Sequence, residues 1–115
     1  MFEINIIPNF EKDVKYYKNK KNYRQIEEDI NSAVQKIAQG HLVGKKIPGL
    51  SLKESVYKVR VKNSSANVGK SNGFRIVYYV VEEEQEVYLI TIYSKKDKAD
   101  IPPKEIAFLV GRYFD

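Results

Sequence analysis

"KVRVKNSSANVGKSNGFRIVYY", residues 58–79, decides how this chain is read. Two strand-like runs flank a middle rich in Gly, Ser and Asn. The charged side chains of the stretch are Lys58, Arg60, Lys62, Lys70 and Arg75, with no acid among them. Alternation in the first run puts Tyr57, Val59 and Val61 on one face and Lys58, Arg60 and Lys62 on the other. Side chains on one face of a strand repeat every ~6.6 Å, twice the rise per residue. Phosphates along a nucleic-acid strand repeat on a similar length scale, so such a row can follow a backbone. The plainer explanation is an exposed strand face that uses lysine to block aggregation. Three features favour a site: the row has no interleaved acids, the adjoining loop adds Lys70, and Arg75 follows Gly73–Phe74. A glycine at 73 permits close backbone approach.

The rest of the chain sets bounds around that stretch. Its net charge is +5 over 115 residues, and residues 53–75, with Lys53 included and Glu54 the only acid, carry a net +5 by themselves. Phosphate-bearing or acidic partners are therefore favoured. The length suits one domain spanning 1–115, with 43% apolar and 30% charged residues. There is no cysteine, which excludes disulfides and thiolate metal sites. No apolar run approaches the ~20 residues that span a bilayer. The opening "MFEINIIPNF" lacks the basic region of a signal peptide and carries Glu3. These features lead us to expect a cytoplasmic protein with no membrane association.

Periodicity predicts the elements. Residues 2–7 read as a strand closed by Pro8, and Asn9 is placed to cap a helix carrying Phe10, Val14 and Tyr17. "KNKKN" (18–22) breaks that helix. Tyr23, Ile26, Ile30, Ala33, Val34, Ile37 and Ala38 form the apolar stripe of a second helix that Gly40 stops. Residues 40–55 read as a loop. Strands follow at 56–62, 74–81 and 87–95, joined by the long 63–73 connection and the acidic turn 82–86. Pro103 suits the first position of a last helix with Ile106, Leu109, Val110 and Tyr113 on its apolar face. The expected fold is α+β, in the order β-α-α-β-β-β-α. Its last three strands form an antiparallel meander covered by helices on one side, and by the last helix or a partner on the other.

Other chemistry is thin. His41 is the sole histidine and sits in a Gly-rich loop, which reads as surface. "GKS" (69–71) lacks the upstream glycine of a P-loop and precedes a strand instead of a helix, so nucleotide binding is rejected. Glu82–Glu84 and Glu86 read as a solvated turn. No ligand set for a metal is visible, and no cofactor is expected. Tyr93 stands at a strand end beside Lys95, Lys96 and Lys98, where it can stack a base, position a phosphate or simply pack. Lysines beside arginines also suit metal-free RNA cleavage. That chemistry needs a proton acceptor for the 2′-hydroxyl, a donor for the leaving 5′-oxygen and positive charge on the phosphorane.

The ordered series K-x-R, Gly-Lys-Ser, G-x-R-x-x-Y-Y and Tyr-x-Lys in "VYKVRVKNSSANVGKSNGFRIVYYVVEEEQEVYLITIYSKKDKADIPPKEI" resembles the RelE/ParE superfamily of bacterial type II toxins. It looks closest to the RelE and HigB branch. "GKKIPGL" upstream is similar as well, and the match spans residues 44–106. The N-terminal helices agree in element order only. The resemblance implies a twisted antiparallel sheet packed by an N-terminal helical hairpin and a C-terminal helix. It implies an mRNA interferase: an endoribonuclease that cuts mRNA on the ribosome, needs no metal and inhibits translation. The products would be a 2′,3′-cyclic phosphate and a free 5′-hydroxyl. A cognate antitoxin, of helix-turn-helix type in some relatives, would neutralise it.

Carried over residue by residue, the resemblance gives Arg75 the contact to the scissile phosphate. It gives Lys58, Arg60 and Lys62 the basic strand, with Lys62 or Lys58 as proton acceptor, and matches Tyr93 and Lys95 to the end of the last strand. Lys53, Lys70, Lys96 and Lys98 are expected to bind RNA. Asn72 replaces the first glycine of the usual Gly-Gly pair, and 97–107 contains no tyrosine or arginine where some RelE proteins carry a catalytic tyrosine. The general acid or base thus stays open. Two other functions remain: a ParE-like gyrase poison without enzymatic activity, and a decayed RNA- or protein-binding module.

Overall fold

A computed structural model of the chain describes residues 1–48 and 55–114. The elements run β1 (Glu3–Ile6), α1 (Pro8–Asn19), α2 (Ile26–Ala38), β2 (Lys45–Lys46), β3 (Ser55–Val61), β4 (Phe74–Val81), β5 (Glu86–Ser94) and α3 (Pro103–Phe114). They build one five-stranded sheet in the order β1-β5-β4-β3-β2. The meander β3–β4–β5 is antiparallel, and its β4–β5 connection is too short for anything else. β1 adds to the β5 edge in parallel, with Glu3 opposite Glu86 and Ile6 opposite Leu89. The two helices that follow β1 carry the chain across the sheet, and such a crossover is what a parallel neighbour needs. Lys45–Lys46 forms a minimal strand on β3 inside the segment expected to be loop.

The helices are shifted from the sequence reading for local reasons. Pro8 takes the first turn of α1 with Ile7 as the flanking residue, and no side chain caps the helix. Asn9 instead donates to Asp13 and to the Ile90 carbonyl at 3.1 Å, tying α1 to β5. α2 begins at Ile26, and Tyr23 precedes it. Tyr23 stacks on Tyr17 at 6.1 Å, and both rings meet Phe74 edge-on. Ile26, Ile30, Ala33 and Ile37 are the buried stripe of α2.

Alternation along β4 divides the cover. Phe74, five residues from Tyr79, faces the opposite side of the sheet. Phe74 meets the N-terminal helices, whereas Tyr79 and Tyr88 meet Phe114 of α3, at 5.2 and 4.7 Å between ring centres. The buried core joins Phe10 and Ile26 to Ile76, Tyr78, Ile90 and Ile92 of the sheet and Ile106 of α3. Lys58, Arg60 and Arg75 share the Tyr79 face, so they lie on the α3 side. α3 covers the far end of that face, at Tyr79 and Tyr88. Among the described residues, no helix is long and apolar enough to cross a membrane.

Candidate nucleic-acid interface

The β3 pattern works as the sequence predicts. Val59 and Val61 are buried, Lys58 is half-buried, and Arg60 and Lys62 are exposed. Strand register then sets Arg60 opposite Arg75, and Arg75 opposite Tyr93, making one row across three strands. Like charges directly opposite one another destabilise a sheet, so this row needs other interactions to hold it.

The 63–73 connection supplies them. Its first turn is pinned from α2: the Asp29 carboxylate, 2% exposed, accepts from the Ser64 amide at 2.9 Å and from the Ser64 hydroxyl. Its second turn is held by Arg75, whose guanidinium donates to the carbonyls of Lys70 (3.0 Å), Ser71 (2.9 Å) and Phe74 (3.2 Å). Gly73 passes so close to β3 that a Cβ there would lie 2.2 Å from the Val61 carbonyl oxygen. The close approach expected of this glycine is therefore present. Arg75 is only 6% exposed. Burial, and secondarily the charge of Arg60, push its guanidinium down from its ordinary value. It remains a cation, since arginine does not deprotonate in proteins.

A cleft of about 800 Å³ opens beside this row and wraps the β3 edge. Lys58, Arg60, Lys62, Lys70, Arg75 and Lys95 all line it. Lys36 of α2 and Lys45 of β2 join them, and among the described residues Asp100 is the one carboxylate on the wall. Apolar wall comes from Ala33, Val43, Val59 and Val61.

Of the expected site residues, six thus converge. Lys96 and Lys98 stand outside the cleft; Lys98 pairs with Glu105 at 3.0 Å and lies 5.9 Å above the Tyr93 ring. Lys53 lies outside the described residues. Tyr93 is 4% exposed, so its ring packs, and its hydroxyl donates to Asp100 at 3.4 Å. Burial, then the neighbouring Asp100 charge, raise that hydroxyl to about 12. Asp100 also accepts from Lys58 at 2.8 Å and from the Ile101 amide at 2.9 Å, and these partners hold its carboxyl below the usual carboxylate value.

Sequence reading did not find Lys36, Lys45 or Asp100. Gly44 beside Lys45 was the available signal, with φ +98° and a Cβ position 2.3 Å from the Lys58 carbonyl oxygen. Lys36 and Asp100 carry no local signal. Among the described residues, no three His, Cys, Asp or Glu side chains gather to hold a metal ion.

No protein-family model matches the chain. Solved structures do. The isolated Escherichia coli RelE toxin superposes with a TM-score of 0.52 at 16% identity, covering 99% of this chain and 100% of that one. A double arginine-to-alanine mutant of the E. coli toxin RelE in the free state gives 0.52 at 15% identity, covering 99% and 98%. The fold is RelE-like.

Proposed function

We propose that this chain is the toxin of a type II toxin–antitoxin pair and cleaves mRNA on the ribosome. The observation that supports this most is the convergence of Lys58, Arg60, Lys62, Lys70, Arg75 and Lys95 on one cleft of a RelE-like fold. The cleft is open along the sheet edge, as an extended single strand requires.

In this reaction the 2′-hydroxyl oxygen attacks the adjacent phosphorus and the bond to the 5′-oxygen breaks. One proton leaves the 2′-hydroxyl and one reaches the departing oxygen, so no water is consumed and the products are a 2′,3′-cyclic phosphate and a 5′-hydroxyl. Lys62 takes the first proton in its neutral amine form: it is exposed at the mouth of the cleft, whereas Lys58 is engaged by Asp100. Arg60 and Arg75 stabilise the extra negative charge of the phosphorane, and the rigid loop keeps Arg75 in place before substrate arrives. An ammonium of the cleft, Lys70 or Lys95, returns the proton to the leaving oxygen. A cognate antitoxin with acidic groups would cover the same cations.

Induction of the protein followed by mapping of cellular mRNA ends tests this reading. Ends phased to ribosome positions, with 5′-hydroxyls, are expected. Intact mRNA with a DNA-damage response would instead indicate gyrase poisoning, and unimpeded growth would indicate a non-catalytic module.

A further inference from the structure

Three donors converge on one oxygen of Asp100: the Lys58 ammonium at 2.8 Å, the Ile101 amide at 2.9 Å and the Tyr93 hydroxyl at 3.4 Å. Convergent donors around a single anionic oxygen are what a phosphate-binding position looks like. Among the described residues, the carboxylate occupying it is the only one on the cleft wall, and its side chain is 68% exposed, against 29% for Lys58. An ion pair so exposed is weak and readily exchanged for another anion.

We infer that Lys58 and the Tyr93 hydroxyl form a phosphate subsite at one end of the cleft, and that Asp100 fills it as an internal competitor. The inference rests on the RNA-binding reading only for the identity of its ligand, a phosphate of the nucleic-acid backbone. Asp100 sits on the segment between β5 and α3, directly before the buried Ile101, so the carboxylate can swing out while the chain behind it stays anchored. An incoming phosphate takes the lysine and the hydroxyl, and the carboxylate turns to water. The free protein thereby lowers its positive field at this end and binds stray polyanions less well. It recovers Lys58 only for a strand that reaches the full length of the row.

The test is a cycle of Asp100→Asn, Lys58→Ala and the double variant. Asparagine keeps the shape and an oxygen for the Ile101 amide, so the fold is retained. The probe is a 2′-O-methyl oligoribonucleotide, which has no attacking hydroxyl and is not cleaved. Asp100→Asn should bind it about fivefold more tightly at ~0.1 M salt. Its salt slope should steepen by about 0.7, the value of one extra single-strand phosphate contact. Lys58→Ala should weaken binding in the natural background and should abolish the gain in the Asp100→Asn background. A gain that persists without Lys58 is a general charge effect and overturns the subsite, as does an Asp100→Asn variant that binds no tighter. Thermal shifts with inorganic phosphate separate the two readings. A larger phosphate-induced rise in Asp100→Asn that depends on Lys58, with no oligonucleotide bound by any variant, keeps the subsite and removes the RNA reading.

Discussion

Arg75 carries both a chemical and a structural role, and removing it should be felt in stability before activity is measured. Its guanidinium makes three charge-assisted hydrogen bonds to backbone carbonyls of the 70–74 turn. Each such bond contributes ~1.5 kcal/mol or more when the donor is charged. Lys70 and Ser71 are exposed, so water replaces part of what their carbonyls lose. Removal also relieves the burial of a cation and its repulsion by Arg60, the two causes that push its guanidinium down. The net for Arg75→Ala is a loss of about 2 kcal/mol, read as about 10 °C in Tm for a domain of this size. Arg75→Lys keeps the charge but has one nitrogen in place of a fork, and should lose about half as much.

Urea titration measures the global change, and amide exchange locates it. The Asn72 amide bonds Gly69 and the Lys95 amide bonds Gly73, so both report on the turn. Their exchange should accelerate about 30-fold in Arg75→Ala, the equivalent of ~2 kcal/mol. Stability within ~0.5 kcal/mol of the natural protein, with exchange unchanged at both amides, would refute the argument that the guanidinium holds the loop. The same dual role means that lost toxicity in Arg75→Ala alone does not identify a phosphate contact. Arg75→Lys, with the turn partly kept, is the informative variant.

Gly73→Ala must move backbone, because the added carbon would meet the Val61 carbonyl oxygen and the Asn63 nitrogen. A loss of ~3 kcal/mol in denaturant unfolding is expected, and a loss below ~1 kcal/mol would show that the loop yields easily. Asp13 is a second test, through pH. Burial raises its carboxyl above the ordinary value of 3.8, outweighing the hydrogen bond from Thr91. A raised folded-state value favours the protonated form, so its contribution is fully present below about pH 3.8 and is lost as pH rises through the raised value. Relative to Asp13→Asn, the natural protein should therefore lose stability as pH rises above about 3.8 and through the raised value; a difference that is flat or rises with pH contradicts this.

Much of this arrangement is legible in the sequence because it depends on local pattern. The two-residue period of residues 56–62 sorted Lys58, Arg60 and Lys62 from Val59 and Val61, and the structure keeps that sorting. The α2 stripe and the Pro103 start of α3 follow in the same way from period and proline geometry. What escaped depends on contacts distant in sequence. Asp29 and Ser64 lie 35 positions apart, and nothing around either residue announces that a carboxylate will order the site loop. Asp100 and Lys58 are 42 positions apart, so a lysine that reads as free is paired. The direction of β1 depends on where α1 and α2 return the chain, which six apolar-rich residues cannot encode alone. Tyr93 was legible as a site neighbour, but its burial depended on the 95–102 segment folding back over it.

The central claim is that the cations of β3, β4 and their loop act together on one phosphodiester of a translated message. The direct measurement is single-turnover cleavage of a defined mRNA on purified ribosomes, with the product ends identified chemically. The natural protein should cut at a fixed distance from the programmed codon and leave a 2′,3′-cyclic phosphate. Lys62→Ala should slow the cut by at least ~100-fold, the usual contribution of a positioned proton acceptor, while binding the ribosome as well as before. An intact message in the presence of bound natural protein, or undiminished cleavage by Lys62→Ala, would contradict the account.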